Sequence, residues 1–154
     1  MDPTILSERN LLDLTMRLSI AIVAGGSIGL DRYIQHQAGG LRTHMLVSLG
    51  AALFAIVPTA LTDRTDIDSL SRIVQGIAAG VGCLGAGEIL HTASTSTHQD
   101  PAIRVTGLTS AASIWVTAAI GVIAGCGLWQ VAIVATVMMM ILSVLKCLER
   151  RNRV

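Results

Sequence analysis

Charge is what this sequence has least of. Asp, Glu, Lys and Arg make up 14% of its 154 residues, against about 25% in an ordinary soluble domain. So few ions cannot cover a water-facing surface, so lipid is the expected solvent for much of the chain. Aromatic residues are also sparse, with one Phe, one Tyr and two Trp, which leaves few rings for stacking on bases. A net charge of +1 gives no electrostatic footprint for nucleic acid. The three cysteines, Cys83, Cys126 and Cys147, lie in apolar stretches. Their odd number argues against a disulfide framework, and their spacing fits no metal site. His36, His44, His91 and His98 form no i, i+4 ligand pair. No hydrolase elbow, phosphate loop or nucleotide fingerprint is present. The glycine-rich string Gly80–Gly87 sits inside an apolar segment and not after a strand. The chain is therefore not expected to be an enzyme or to hold an organic cofactor.

What is there is hydrophobic. Apolar residues make up 52% of the chain, and the mean hydropathy is +0.66. A spanning helix needs about 20 mostly apolar residues. The pattern predicts an all-α, polytopic membrane protein with helices over 11–30, 45–62, 73–90, 107–124 and 128–145, followed by a short basic tail at 146–154. Asp2, Glu8 and Asp13 offset Arg9 and Arg17, so no positive leader precedes the first apolar stretch, which is read as a retained helix. The charge-free run from Thr106 to Leu145 is too long for one span. It is divided at Gly125-Cys126-Gly127, where glycine permits a tight turn.

Five spans place the termini on opposite sides. Arg9, Arg17, Arg64 and Arg72 fall on one side; Arg32, Arg42, Arg104, Lys146, Arg150, Arg151 and Arg153 fall on the other. The excess predicts the N-terminus outside and the C-terminus in the cytoplasm.

Lipid offers no hydrophobic drive for helix association, so close packing must hold the helices together. Gly25 and Gly29, Gly76 and Gly80, and Gly121 and Gly125 each lie four residues apart, and Gly85 and Gly87 add to the third helix. The spacing suits packing within one subunit or a homo-oligomer contact. So many glycines on the third helix imply either very tight neighbours or an irregular backbone next to Glu88.

Placed on this topology, polar groups from four helix ends converge on the cytoplasmic face: Asp31 and Arg32, then Arg42, Thr43 and His44, then Glu88 and His91, then Arg104, Thr106 and Thr109. Arg42 is the expected partner of Asp31 or Glu88, because its planar fork matches a carboxylate. The cluster reads either as a site for a cation or regulatory ligand or as an ion-paired network locking the helix ends. Asp31 and Glu88 are chemically sufficient for hydrated Mg2+. Asp63, Asp66 and Asp68 outside read as a solvated loop.

Four blocks carry a family resemblance: SIGLDR at 27–32, AGGLRTHMLVSLGAALF at 38–54, QGIAAGVGCLGAGEIL at 75–90 and GLTSAASIWVTAAIGVIAGCGL at 107–128. Their order and spacing resemble the MgtC/SapB family of bacterial inner-membrane proteins over about residues 11–145. The resemblance implies a link to growth at low magnesium and, in some members, to survival inside host cells. It implies action by regulating other membrane proteins or membrane energetics, with transport of magnesium or another cation as the alternative. Implied partners are membrane lipid, other inner-membrane proteins and a second copy of the chain. Some relatives add a C-terminal soluble domain; the sequence stops soon after its last apolar stretch, so none is expected. Asp31 stands where the family usually has Glu, Cys83 where Phe is usual and Ser110 where a second Thr is usual. Gly39-Gly40 looks like an extended pair, and Glu88 occupies a commonly small or apolar position.

Overall fold

The computed structural model describes residues 8–37, 39–61, 67–95 and 107–151. These form five α-helices: α1 Glu8–Ile34, α2 Leu41–Leu61, α3 Ile67–Thr95, α4 Leu108–Gly125 and α5 Trp129–Arg151. No strand occurs among the described residues. The segments α1, α2, α3 and α4 are long and apolar enough to cross a membrane, and α5 carries a shorter apolar stretch, Trp129–Leu145. Helix boundaries exceed the expected spans chiefly at α1, α3 and α5. A helix need not stop where the apolar run does, because its polar ends continue into the headgroup layer.

The α4–α5 break falls at Cys126-Gly127, and its geometry explains why the charge-free run divides there. Gly127 adopts φ +81°. Its N–H donates to Ala124 O at 3.0 Å, and the Leu128 N–H donates to Ile123 O at 3.1 Å. These two bonds are the Schellman pattern that closes a helix C-terminus, and a left-handed glycine at that position avoids the Cβ penalty.

α4 is the central helix. It packs against α1, α2, α3 and α5, and α1 packs against α2 and α5. Half of the α4 span is buried, against 11% of the α3 span. Small residues fill the centre: Ala21, Ala24, Ala52, Ala124 and Ala132, together with Ile28 and Ile120. Glycine lets the backbones close further. A Cβ on Gly25 would lie 2.6 Å from His44 O, and one on Gly29 would lie 2.8 Å from Leu41 Cα. On α4, a Cβ on Gly121 would collide with the Ser48 carbonyl oxygen, and one on Gly125 would lie 2.6 Å from Ala52 O. Close backbone approach of this kind is what joins helices in lipid.

The third helix departs from expectation. It is continuous from Ile67 to Thr95, so its glycines do not break it. Gly85 does approach a neighbour, with its Cβ position 3.2 Å from Ala111 Cβ, but Gly76, Gly80 and Gly87 have nothing within 4 Å. Their small size leaves an open face on α3. Glycine spacing alone marks where a backbone can approach, not that one does.

Candidate functional site

The ends of α1 and α3 and the starts of α2 and α4 lie at one end of the bundle, as antiparallel connectivity requires. There the described polar side chains divide into two groups.

The first group joins α1 to α5. Ser143, on α5 and 3% exposed, donates its hydroxyl to Asp31 Oδ2. Gln35 Nε2 reaches Asp31 Oδ1 at 2.9 Å and Ser143 Oγ at 2.9 Å. The expected pairing of Asp31 with Arg42 is therefore not made: Arg42 is exposed, and Asp31 is turned toward α5. The reason is positional: Gly25 and Gly29 mark the face of α1 that meets α2, and Asp31 lies on the face that meets α5.

The second group lies between α1, α2 and α4. Arg32 is 1% exposed and His44 is fully buried. Arg32 Nη1 donates to Gln37 Oε1 at 3.2 Å, while its Nε is buried with no hydrogen-bond partner. His44 Nδ1 lies 3.1 Å from Gly40 O and its Nε2 lies 3.2 Å from Ser113 Oγ. Ser113 donates to Ser110 O at 2.7 Å, and the Thr117 hydroxyl donates to Ser113 O at 2.8 Å. Gly40 O can only accept, so the His44 proton sits on Nδ1 and donates to it, while the Ser113 hydroxyl lies within hydrogen-bond reach of both Nε2 and Ser110 O. Ser48, one turn below His44, is buried with its Oγ unpartnered.

Of the other expected members, Thr43 and Thr109 stand apart, whereas Glu88 is close enough to His44 for its charge to act on the ring. Thr43 and Thr109 are exposed. Glu88 is half-buried on α3, whose packing partners are α4 and α2, while Asp31 is held against α5; no described contact brings these carboxylates together. Among the described residues no cluster of three or more His, Cys, Asp or Glu could hold a metal. The His91 side chain, Arg104, Thr106 and His98 lie outside the described residues, as do Asp63, Arg64, Asp66 and the side chains of the basic tail.

At the opposite end, Arg17 Nη2 pairs with Asp13 Oδ2 at 2.7 Å, and its Nη1 donates to Gly125 O at 3.0 Å. This arginine caps the C-terminus of α4, where a cation meets the negative end of the helix dipole. Asp13 and Arg17 are four residues apart, a spacing that puts both on one helix face; the contact with Gly125, 108 residues away, has no such local signal.

Gln35, Gln37, Ser113 and Ser143 also complete the site without a sequence signal. Each is one small polar residue in or beside an apolar helix. Ser143, the single hydroxyl within Met138–Leu145, is the one such residue that stands out.

A model of the MgtC family matches residues 18–151. The chain is 44% identical over 154 aligned residues to Protein SrpB of Synechococcus elongatus, covering 97% of this chain and 84% of that protein. It is 40% identical to the protein of Escherichia coli named putative magnesium transporter YhiD, covering 80% of this chain and 55% of YhiD. It is 37% identical to Protein MgtC of Brucella abortus, covering 83% of this chain and 49% of that protein. The chain thus spans about half the length of these last two relatives. No solved structure matches it.

Proposed function

The chain belongs to the MgtC family, and from that premise we propose that it is a multi-pass protein of the bacterial inner membrane that regulates other membrane proteins, or membrane energetics, during adaptation to low magnesium. In this reading all five helices span, the N-terminus is outside, and the cluster around Arg32 and His44 faces the cytoplasm. The seven-to-four excess of basic residues on that side supports the orientation.

One observation favours regulation over transport. The buried polar groups of the described residues begin at Arg32 and His44 and end at Ser48 and Thr117. Beyond them the space between α1, α2 and α4 is filled by Ala21, Ala24, Ala52, Ile120 and Ala124. An ion entering at the cluster would meet a close-packed apolar core, where charge is expensive. A protein that presents packed faces to its surroundings suits contact with partners better than conduction.

Crosslinking tests the proposal. Photoreactive residues placed at exposed positions of α3 in native membranes should capture a discrete membrane protein under magnesium limitation. A magnesium phenotype that persists in variants unable to crosslink would count against it.

The competing reading is a cation pathway using Glu88. It draws on the half-buried placement of that carboxylate on α3 and on the printed name of YhiD.

A further inference from the structure

We propose that the Arg32 cluster is an anion site that takes a phosphate-bearing group. This inference holds whether the chain regulates or transports. It begins with charge: a guanidinium is cationic at every relevant pH, and a buried charge needs a counter-charge or a full set of acceptors. Arg32 is 1% exposed, and among the described residues it makes no ion pair and gives one hydrogen bond, to the neutral amide oxygen of Gln37. Its buried Nε has no acceptor at all. The negative end of the α1 dipole offsets part of the charge, but it does not supply the missing acceptor.

The surroundings add positive potential. α2 begins at Leu41, and α4 begins at Leu108 after Gly107, which provides no side-chain cap. The first N–H groups of a helix lack internal acceptors and favour anions. These two helix starts are neighbours, since His44 bridges to Ser113 and a Cβ on Gly39 would lie 3.2 Å from Ile114 and 3.5 Å from His44. Arg32 and, from α3, Glu88 are both close enough to His44 for their charges to act on the ring, so the positive potential is partly offset; Glu88 does not supply the acceptor missing at Arg32 Nε. Asp31, the carboxylate next in sequence, is committed to Ser143 and Gln35. A tetrahedral oxyanion offers several acceptors at once to an arginine fork and to helix N–H groups.

A lipid headgroup and free phosphate share this chemistry. The purified full chain should be melted in detergent with and without millimolar inorganic phosphate, and in nanodiscs of phosphatidylglycerol or phosphatidylcholine. Phosphate or the anionic lipid should raise the melting temperature by several degrees. Stabilisation by phosphate in detergent identifies a soluble ligand; stabilisation by phosphatidylglycerol alone identifies a headgroup.

Two variants locate the effect. Q37E places a carboxylate beside Arg32 in the space of the amide, and R32K keeps the charge without the fork. Both should weaken anion binding by roughly tenfold or more, while Arg72→Gln at the far end of α3 should leave it unchanged. No stabilisation by either anion, or equal stabilisation in R32K and Q37E, would overturn the proposal, as would its loss in R72Q.

Discussion

Ser143 donates a hydrogen bond to Asp31 across a gap of 112 residues in sequence, tying the far part of α5 to the last turns of α1. Ser143 is almost fully buried, so removing its hydroxyl leaves a carboxylate oxygen with one donor fewer. S143A should lower stability by about 1–3 kcal/mol, read as a lower midpoint in denaturant unfolding from detergent. Unchanged stability would show that water replaces Ser143 without loss.

Helix contact in this bundle depends on which glycines face a backbone. Gly121 abuts the Ser48 carbonyl, whereas Gly76 has nothing within 4 Å. G121A should cost about 1–3 kcal/mol through overpacking. G76A should be neutral or slightly stabilising, since alanine is favoured over glycine in a helix by up to about 1 kcal/mol. Thermal unfolding of both variants in one detergent checks the contrast; equal effects would contradict it.

The same contrast shows what was legible in the sequence. Apolar runs and the glycine pair around Cys126 located five helices, because lipid forces each span to satisfy its own backbone. Spacing of four placed Gly25 with Gly29 and Gly121 with Gly125, and gave an identical signal for Gly76 and Gly80, which meet open space. Periodicity defines a face of one helix; the neighbour of that face depends on tertiary arrangement. Arg32 and His44 were placed in the cluster for the same reason that any polar helix end is. Their partners Gln37 and Ser113, and the preference of Asp31 for Ser143 over Arg42, depend on how α1, α4 and α5 are rotated. Isolated hydroxyls in apolar helices carry no record of that rotation.

Arg17 holds the turn between α4 and α5 through Gly125 O. R17Q should destabilise that end by about 1–3 kcal/mol, because the carbonyl loses a charged donor. D13N should cost only about 0–1 kcal/mol, since the Asp13 side chain is 56% exposed and its ion pair is screened. Hydrogen exchange of the amides around Cys126 should rise in the first variant and stay near the parent in the second. Reversal of that order would contradict the capping role.

Cys126 reports both environment and orientation. It lies in the α4–α5 turn, and burial raises its thiol pKa, with the Arg17 charge opposing in part. Only the thiolate is reactive, so a raised pKa means less thiolate at neutral pH and a labelling rate that climbs as pH rises through and beyond the ordinary thiol range. In a C83S/C147S background, an impermeant maleimide should label intact spheroplasts slowly at pH 7 and faster at pH 9. Labelling confined to inverted vesicles would reverse the proposed orientation.

The central claim is that the buried polar cluster ends on a packed alanine core and opens no route across the membrane. Magnesium flux into proteoliposomes, measured with an entrapped indicator and correctly folded protein, tests it most directly. Flux at the level of protein-free vesicles is the predicted result. Magnesium entry that requires the protein and is altered by Glu88→Gln would contradict the claim and restore the transport reading.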